Sequence, residues 1–218
     1  YHSLINQVKF ELTKAMPRTI LIATTNKGKL REITELIGDI PVEFIDLSHP
    51  SLPDMPEGSE DGDTFEENAL QKARHYGNLS GMPTIAEDAG LQIPILDGWP
   101  GVRSSRVASN DEERLGLVLE KMKGREGEDR LAMFVSVVAF YDPSDDNLET
   151  FLGVCQGSLL EEPRGNNGFG YDPIFYHPGY DRTMAEISTA EKNLVSHRGQ
   201  SIRALARWLK GYYGEGSK

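Results

Sequence analysis

The chain has 218 residues, enough for one domain of ordinary size or two small lobes sharing a core. Its 23 Lys and Arg against 34 Asp and Glu give a formal net charge of −11, which argues against a general nucleic-acid or membrane-surface binder, since both need a basic footprint. Cys155 is the only cysteine, which excludes an intramolecular disulfide framework and a cysteine-rich zinc site. No run approaches the roughly 20 apolar residues of a membrane helix. The opening segment lacks the apolar stretch of a secretory signal, so a soluble cytoplasmic protein is expected.

Residues 1–18 are mixed and polar and read as a frayed or weakly docked N-terminal extension. Thr19–Thr24 is short and β-branched, as a buried strand should be. After a polar turn at Thr25–Gly28, Leu30, Ile33, Leu36 and Ile37 share one helical face, and Gly38 falls where that helix should stop. Pro41–Leu47 reads as a second strand. Residues 48–63 hold three prolines, two glycines and five acidic residues and must be a loop. Thr64 and Glu67 have capping-box spacing, which starts a helix expected to end near Tyr76, before Gly77.

Thr84–Leu96 reads as two short strands around a turn at Glu87–Gly90, with tight connections at Asp97-Gly98 and Pro100-Gly101. Leu115, Val118, Leu119 and Met122 mark another amphipathic helix. Two long β-rich runs joined by DPSDDN predict an extended hairpin. A glycine-rich loop at Gly165–Gly170 follows, and Ile202, Leu205, Ala206 and Leu209 mark a last helix over about Ile202–Leu209. Helices interleaved with strands predict an α/β fold with a mixed sheet, carried by residues 19–212, with 213–218 as a tail.

Five segments have chemical potential. Thr24–Lys29 lies between a strand and a helix, where free amides and the dipole suit phosphate; Lys27 and Lys29 add charge. It is not a Walker A loop, and it fits an ordinary polar turn equally well. In the second segment, Glu60, Asp61 and Asp63 precede the capped helix that carries Lys72. This is either a solvated acidic loop with a surface lysine, or a metal-side carboxylate with a phosphate-facing lysine. Glu87 and Asp88 follow an apolar strand and precede Ala89-Gly90, so they cap a turn or project into a cleft. In Asn166–Phe175 the glycines admit a flat ligand and Phe169 can stack on a base, although core aromatics beside a glycine turn read the same way. Finally, Lys192, His197 and Arg198 concentrate positive charge just before the last helix, where the dipole disfavours cations. His197 and Arg198 present donors suited to a purine edge.

Taken in this order, TTNKGK, TFEENALQKA, AEDAGL with DGWPGVRSSR, GFGYDPIF and AEISTAEKNLVSHRG resemble the inosine triphosphate pyrophosphatase family, the house-cleaning dITP/XTP pyrophosphatases. The match runs from about Thr19 to Trp208. The resemblance implies an elongated mixed sheet flanked by helices, with two lobes and a nucleotide cleft between them. It implies Mg²⁺-dependent hydrolysis of ITP, dITP or XTP to the monophosphate and pyrophosphate, usually by a homodimer. It further implies that Thr24, Thr25, Asn26, Lys27, Gly28 and Lys29 cradle the triphosphate, joined by Lys72, with Asn26 and Lys29 as main contacts. Asp88 matches the catalytic acid and, with Glu60, the metal side. Phe169, Gly170, Tyr171, Asp172 and Lys192 would line the base and sugar pocket, and His197 and Arg198 would read the purine.

Two departures stand out. Many bacterial members have Asp-Asp-Ser-Gly where this chain has Glu87-Asp88-Ala89-Gly90, so Ala89 loses a hydroxyl and Glu87 reaches further. Thr25 replaces a smaller residue, which tightens the phosphate turn. A catalytically silent nucleotide-binding regulator and a Maf-like pyrimidine or methylated-nucleotide pyrophosphatase are the alternatives.

Overall fold

A computed structural model of the protein describes residues 18–214, so the reading of residues 1–17 and of 215–218 falls outside the described residues. Seven strands form one open sheet in the order β2-β1-β3-β4-β5-β6-β7. They are β1 Arg18–Ile22, β2 Val42–Asp46, β3 Thr84–Gln92, β4 Leu131–Asp142, β5 Asn147–Leu159, β6 Phe175–His177 and β7 Arg182–Thr183. β2, β1 and β3 run parallel, and every later pairing is antiparallel. The expected mixed sheet is therefore present, and β4–β5 is the expected long hairpin, paired from Leu131↔Ser158 to Asp142↔Asn147. Among the described residues five α-helices accompany it: α1 Lys27–Ile37, α2 Phe65–Ser80, α3 Asp111–Lys121, α4 Thr189–Val195 and α5 His197–Tyr213. No helix among the described residues is long and apolar enough to cross a membrane.

Strand alternation divides the core. Ile20, Ile22, Ile85, Val138 and Phe140 face α1 and α5, where they meet Ile33, Ile37, Ile202, Leu205 and Leu209. Leu21, Ala23, Ala86, Val137 and Ala139 face the opposite way, onto Phe65, Ala69, Ala73 and Tyr76 of α2. A third cluster joins Leu91, Ile93 and Phe134 to Val118, Met122, Tyr171, Ile174 and Phe175.

Several expected boundaries are corrected. Thr84–Leu96 is not two strands around a turn. β3 continues through Glu87–Gly90 as one strand paired with β4 over its whole length, and a 3-10 turn at Pro94–Leu96 follows. Gly90 is there for close approach rather than for bending: a Cβ would lie 2.6 Å from the Gly101 carbonyl oxygen. The last helix begins five residues before Ile202, because Ser196 caps it by accepting from the Gly199 amide at 3.0 Å. It also extends through Tyr213, the residue assigned to the tail. Lys192 lies on the separate helix α4, which opens with a capping box at Ser188 and Glu191.

α2 likewise runs past Tyr76 to Ser80, with Gly81 as its left-handed cap. Gly77 lies within the helix with the Tyr141 ring packed on it: a Cβ there would lie 2.7 Å from Tyr141 Cδ1. In an exposed helix, Gly→Ala stabilises by up to about 1 kcal/mol. Here the sign should reverse, with Gly77→Ala lowering unfolding free energy by about 1–3 kcal/mol in urea titrations. A stabilised variant would contradict this packing.

Candidate active site

Two cavities lie along β3 and the segment after β1. The first, about 280 Å³, is lined by Gly28, Ala89, Phe134, Phe169, His197 and Arg198 among others. The second, about 440 Å³, is lined by Thr24, Thr25, Glu60, Lys72, Asp88 and Arg106 among others. Asn26, Lys29 and Ser105 line both, so the two are adjoining halves of one site.

The turn after β1 is built by its own side chains. Asn26 caps α1, with Oδ1 accepting from the amides of Gly28 at 2.9 Å and Lys29 at 3.1 Å, and Thr24 Oγ1 accepts from the Asn26 amide at 3.2 Å. Three amides of this turn, those of Asn26, Gly28 and Lys29, are thus already engaged, and Lys29 and Lys72 add side-chain charge facing the second cavity. Lys29 reaches into both cavities. Lys27 does not: it is exposed and lines a separate groove with Leu30, Arg31 and Asp46.

Because β3 is continuous, Glu87 and Asp88 point to opposite faces. Asp88 faces α2, where the Asn68 amide donates to its Oδ2 at 3.0 Å. Burial pushes the Asp88 carboxyl up, Lys29, Lys72 and Asn68 pull it down, and the nearby charge of Glu60 adds to the rise, so the net shift is upward. Lys72, also on α2, donates to the Glu87 carbonyl oxygen at 3.2 Å and pairs tightly with Glu60 Oε1. Arg106 donates to the Glu60 carbonyl oxygen at 2.7 Å and holds that loop from the other side. Burial opposes ionisation of Glu60, but Lys72, Lys29 and Arg106 outweigh it and lower its pKa.

Glu87 faces α1 and α5 and belongs to a chain of alternating charges. Lys29 Nζ is 3.4 Å from Glu87 Oε2, and Glu87 Oε1 accepts from Arg198 Nε at 2.8 Å and from Ser136 Oγ at 2.7 Å. Arg198 pairs in turn with Glu32 of α1, Glu32 with Lys192 at 3.0 Å, and Lys192 with Asp172 at 2.6 Å. Asp172 ends the chain by accepting from the Phe169 amide at 2.9 Å. Lys192 and Arg198 therefore are not loose cations near a helix start: each is buried between two carboxylates. Burial alone would raise Glu32 and Glu87, yet Arg198 with Lys192 or Lys29 holds both carboxyls below their usual range. Asp172 is different, since its burial outweighs Lys192 and its pKa is raised.

The same chain shapes the first cavity. Lys192 Nζ lies 4.8 Å and Arg198 Cζ 5.6 Å from the centre of the Phe169 ring. Gly170 donates to Asp111 Oδ2 at 2.9 Å, and the Tyr171 hydroxyl donates to the Ser104 carbonyl oxygen at 2.7 Å, so the glycine loop is tied to the Ser104–Asp111 segment. His197 is stacked on Phe134, with centroids 4.8 Å apart, and its buried Nδ1 has no partner.

Among the expected residues, the structure thus brings all but Lys27 to this double cavity. Sequence reading missed Glu32, Asn68, Ser105, Arg106, Asp111 and Ser136. Asn68 had a signal, since it lies four residues before Lys72 and so on the same helical face. Glu32 had none, because an acidic residue beside Arg31 on an amphipathic helix reads as solvent-facing.

The Ham1 family model matches residues 20–208. A dITP/XTP pyrophosphatase of Coxiella burnetii is 44% identical over 194 residues, covering 87% of this chain and 96% of that protein. One from Symbiobacterium thermophilum is 46% identical over 194 residues, covering 88% and 94%. Among solved structures, a HAM1 protein from Coxiella burnetii has TM-score 0.80 at 42% identity, covering 89% of this chain and 99% of its own. The Staphylococcus aureus Ham1 protein has TM-score 0.79 at 36% identity, covering 89% and 100%. The fold and the site define a nucleotide-sized cleft in an open mixed sheet, and the chain belongs to the Ham1 family.

Burial, reinforced by Arg198, drives the His197 pKa well below its usual value, so the folded protein keeps this imidazole neutral. The unfolded chain takes up that proton first, at about pH 6.5. The contribution is therefore complete above that pH and is lost below it, by up to about 1.4 kcal/mol per pH unit. Urea titrations between about pH 7.5 and 5.5 should show stability falling with acidification, with a shallower slope for His197→Gln. An unchanged slope in that variant would contradict the neutral, buried assignment.

Proposed function

We propose that this chain is a nucleoside triphosphate pyrophosphatase, hydrolysing ITP, dITP or XTP to the monophosphate and pyrophosphate. The observation that carries this reading is the double cavity joined at Asn26, Lys29 and Ser105, with aromatic and purine-edge donors in one half and carboxylates with lysines in the other. The names of the relatives, dITP/XTP pyrophosphatase, favour it over the Maf-like alternative.

The base enters the first cavity, beside Phe169, Gly170 and Tyr171. A 6-oxo group accepts from His197 or Arg198, whereas the 6-amino group of adenine would put donor against donor. A site demanding that hydrogen bond discriminates by about 10⁴. Thr24, Thr25, Asn26, Lys29 and Lys72 meet the triphosphate in the second cavity. There Asp88 orients or deprotonates a water for in-line attack at the α-phosphorus, a role suited to a carboxylate raised by burial. Lys29 and Lys72 then stabilise the departing pyrophosphate.

Glu60 and Asp88 line the same cavity and feel each other's charge. Two carboxylates in one cavity fit Mg²⁺, which keeps waters and substrate oxygens as its other ligands. When bound, Mg²⁺ supplies positive charge against the phosphate oxygens. Lys72, now paired with Glu60, is then available to phosphate. The described residues act as one two-lobed domain in this reading, and the family resemblance supports a cytoplasmic homodimer.

Pyrophosphate release should be fastest with ITP, dITP and XTP in a panel that includes ATP, UTP and dTTP. Faster release from UTP or dTTP would overturn the reading. Asp88→Asn should lower kcat by about 10²–10⁴-fold while leaving nucleotide affinity nearly intact. Near wild-type turnover in that variant would remove Asp88 from the mechanism.

A further inference from the structure

The interior of α2 carries a polar residue that the mechanism above does not use. Asn68 is 0% exposed, although asparagine is a poor helix former and costly to bury unless its amide is satisfied. Its amide is satisfied on two sides. Oδ1 accepts from the Gly62 amide at 2.9 Å, while Nδ2 donates to Asp88 Oδ2 at 3.0 Å and lies 3.4 Å from the Gly62 carbonyl oxygen. Gly62 is two residues beyond Glu60 and packs closely on α2, where a Cβ would sit 2.7 Å from Glu67 Cβ. One side chain therefore joins the strand that carries Asp88 to the loop that carries Glu60.

We propose that Asn68 is the positioning residue that fixes the separation and orientation of Glu60 and Asp88. This rests on the functional reading above, in which those two carboxylates work together. The residue type suits the task. A neutral amide holds the Asp88 carboxylate through one oxygen without cancelling its charge, as a lysine or arginine there would, and its acceptor is left to hold the loop. Asn68 does not line either cavity, so it acts through Asp88 and the Glu60 loop and not by touching substrate. Lys72, four residues on, lies on the same helical face, so α2 presents the positioning amide and the phosphate-facing ammonium together.

Two variants test this. Asn68→Leu keeps the buried volume and removes the polar bridge, and Asn68→Ser keeps a hydroxyl too short to span both partners. Each should lower kcat for ITP by about 10–100-fold and weaken Mn²⁺ binding, read by electron paramagnetic resonance, by a similar factor. ITP affinity measured calorimetrically in EDTA should stay within about threefold, because the phosphate and base contacts remain. Tyr141→Phe, which deletes the 3.0 Å hydrogen bond to Asn78 at the other end of β3, controls for a merely structural loss. It should lose stability with kcat unchanged.

If either Asn68 variant folds and keeps both kcat and Mn²⁺ affinity within about threefold of the parent, the proposal is wrong. If the leucine variant fails to fold, the serine variant decides. Asp88→Asn run in parallel separates the two claims. An active Asp88→Asn would remove Asp88 from the mechanism and with it the premise of this inference, whereas an inactive one beside active Asn68 variants would sink only this inference.

Discussion

The site depends on one buried row of alternating charge: Lys29, Glu87, Arg198, Glu32, Lys192 and Asp172. Its members come from α1, β3, α4, α5 and the turn just after the glycine loop, and the Glu32–Arg198 pair spans 166 residues of sequence. Burying such groups singly would cost several kcal/mol per ion, and removing one partner from a buried pair costs about 3–5 kcal/mol. Three cations matched by three carboxylates avoid the isolated charge. They also fix the elements that carry them. Lys29 at one end opens onto both cavities, and Asp172 at the other holds the loop that places Phe169.

This row changes the meaning of the net charge of −11. The cleft is not a patch of spare positive charge in an acidic protein. Arg198 and Lys192 are neutralised in place, so they offer directed donors and a cationic surface beside Phe169 rather than a long-range field. Lys29, Lys72 and Arg106 are the cations lining the second cavity, and Lys72 and Arg106 are both engaged with Glu60. An acidic surface repels long polyanions, while in the proposed function the cleft takes one small anion by exchanging these partners.

Much of this was legible in the residues. The 3.6-residue spacing of Leu30, Ile33, Leu36 and Ile37 and the capping box at Thr64 and Glu67 identified α1 and the start of α2. The family motifs singled out nearly every cavity-lining residue named in advance. What failed was local turn chemistry. Glu87-Asp88-Ala89-Gly90 looks like a bend, but nine residues of pairing with β4 override it, and that sends the two carboxylates to opposite faces. The longer side chain of Glu87, noted as a departure from the family pattern, is the one that reaches Ser136 and Arg198. Glu32 stayed hidden for a different reason. Its partners lie 160 and 166 residues away in sequence, and nothing in a helical pattern tells a buried polar residue from a solvated one.

The central claim is that the two halves of the cavity hold one nucleotide with its α-phosphorus facing the water held by Asp88. Hydrolysis of ITP in ¹⁸O-enriched water, followed by mass spectrometry of the products, tests this most directly. Attack at the α-phosphorus predicts one ¹⁸O in the inosine monophosphate and none in the pyrophosphate. Label in the pyrophosphate, or release of inorganic phosphate from the γ-position, would contradict the account.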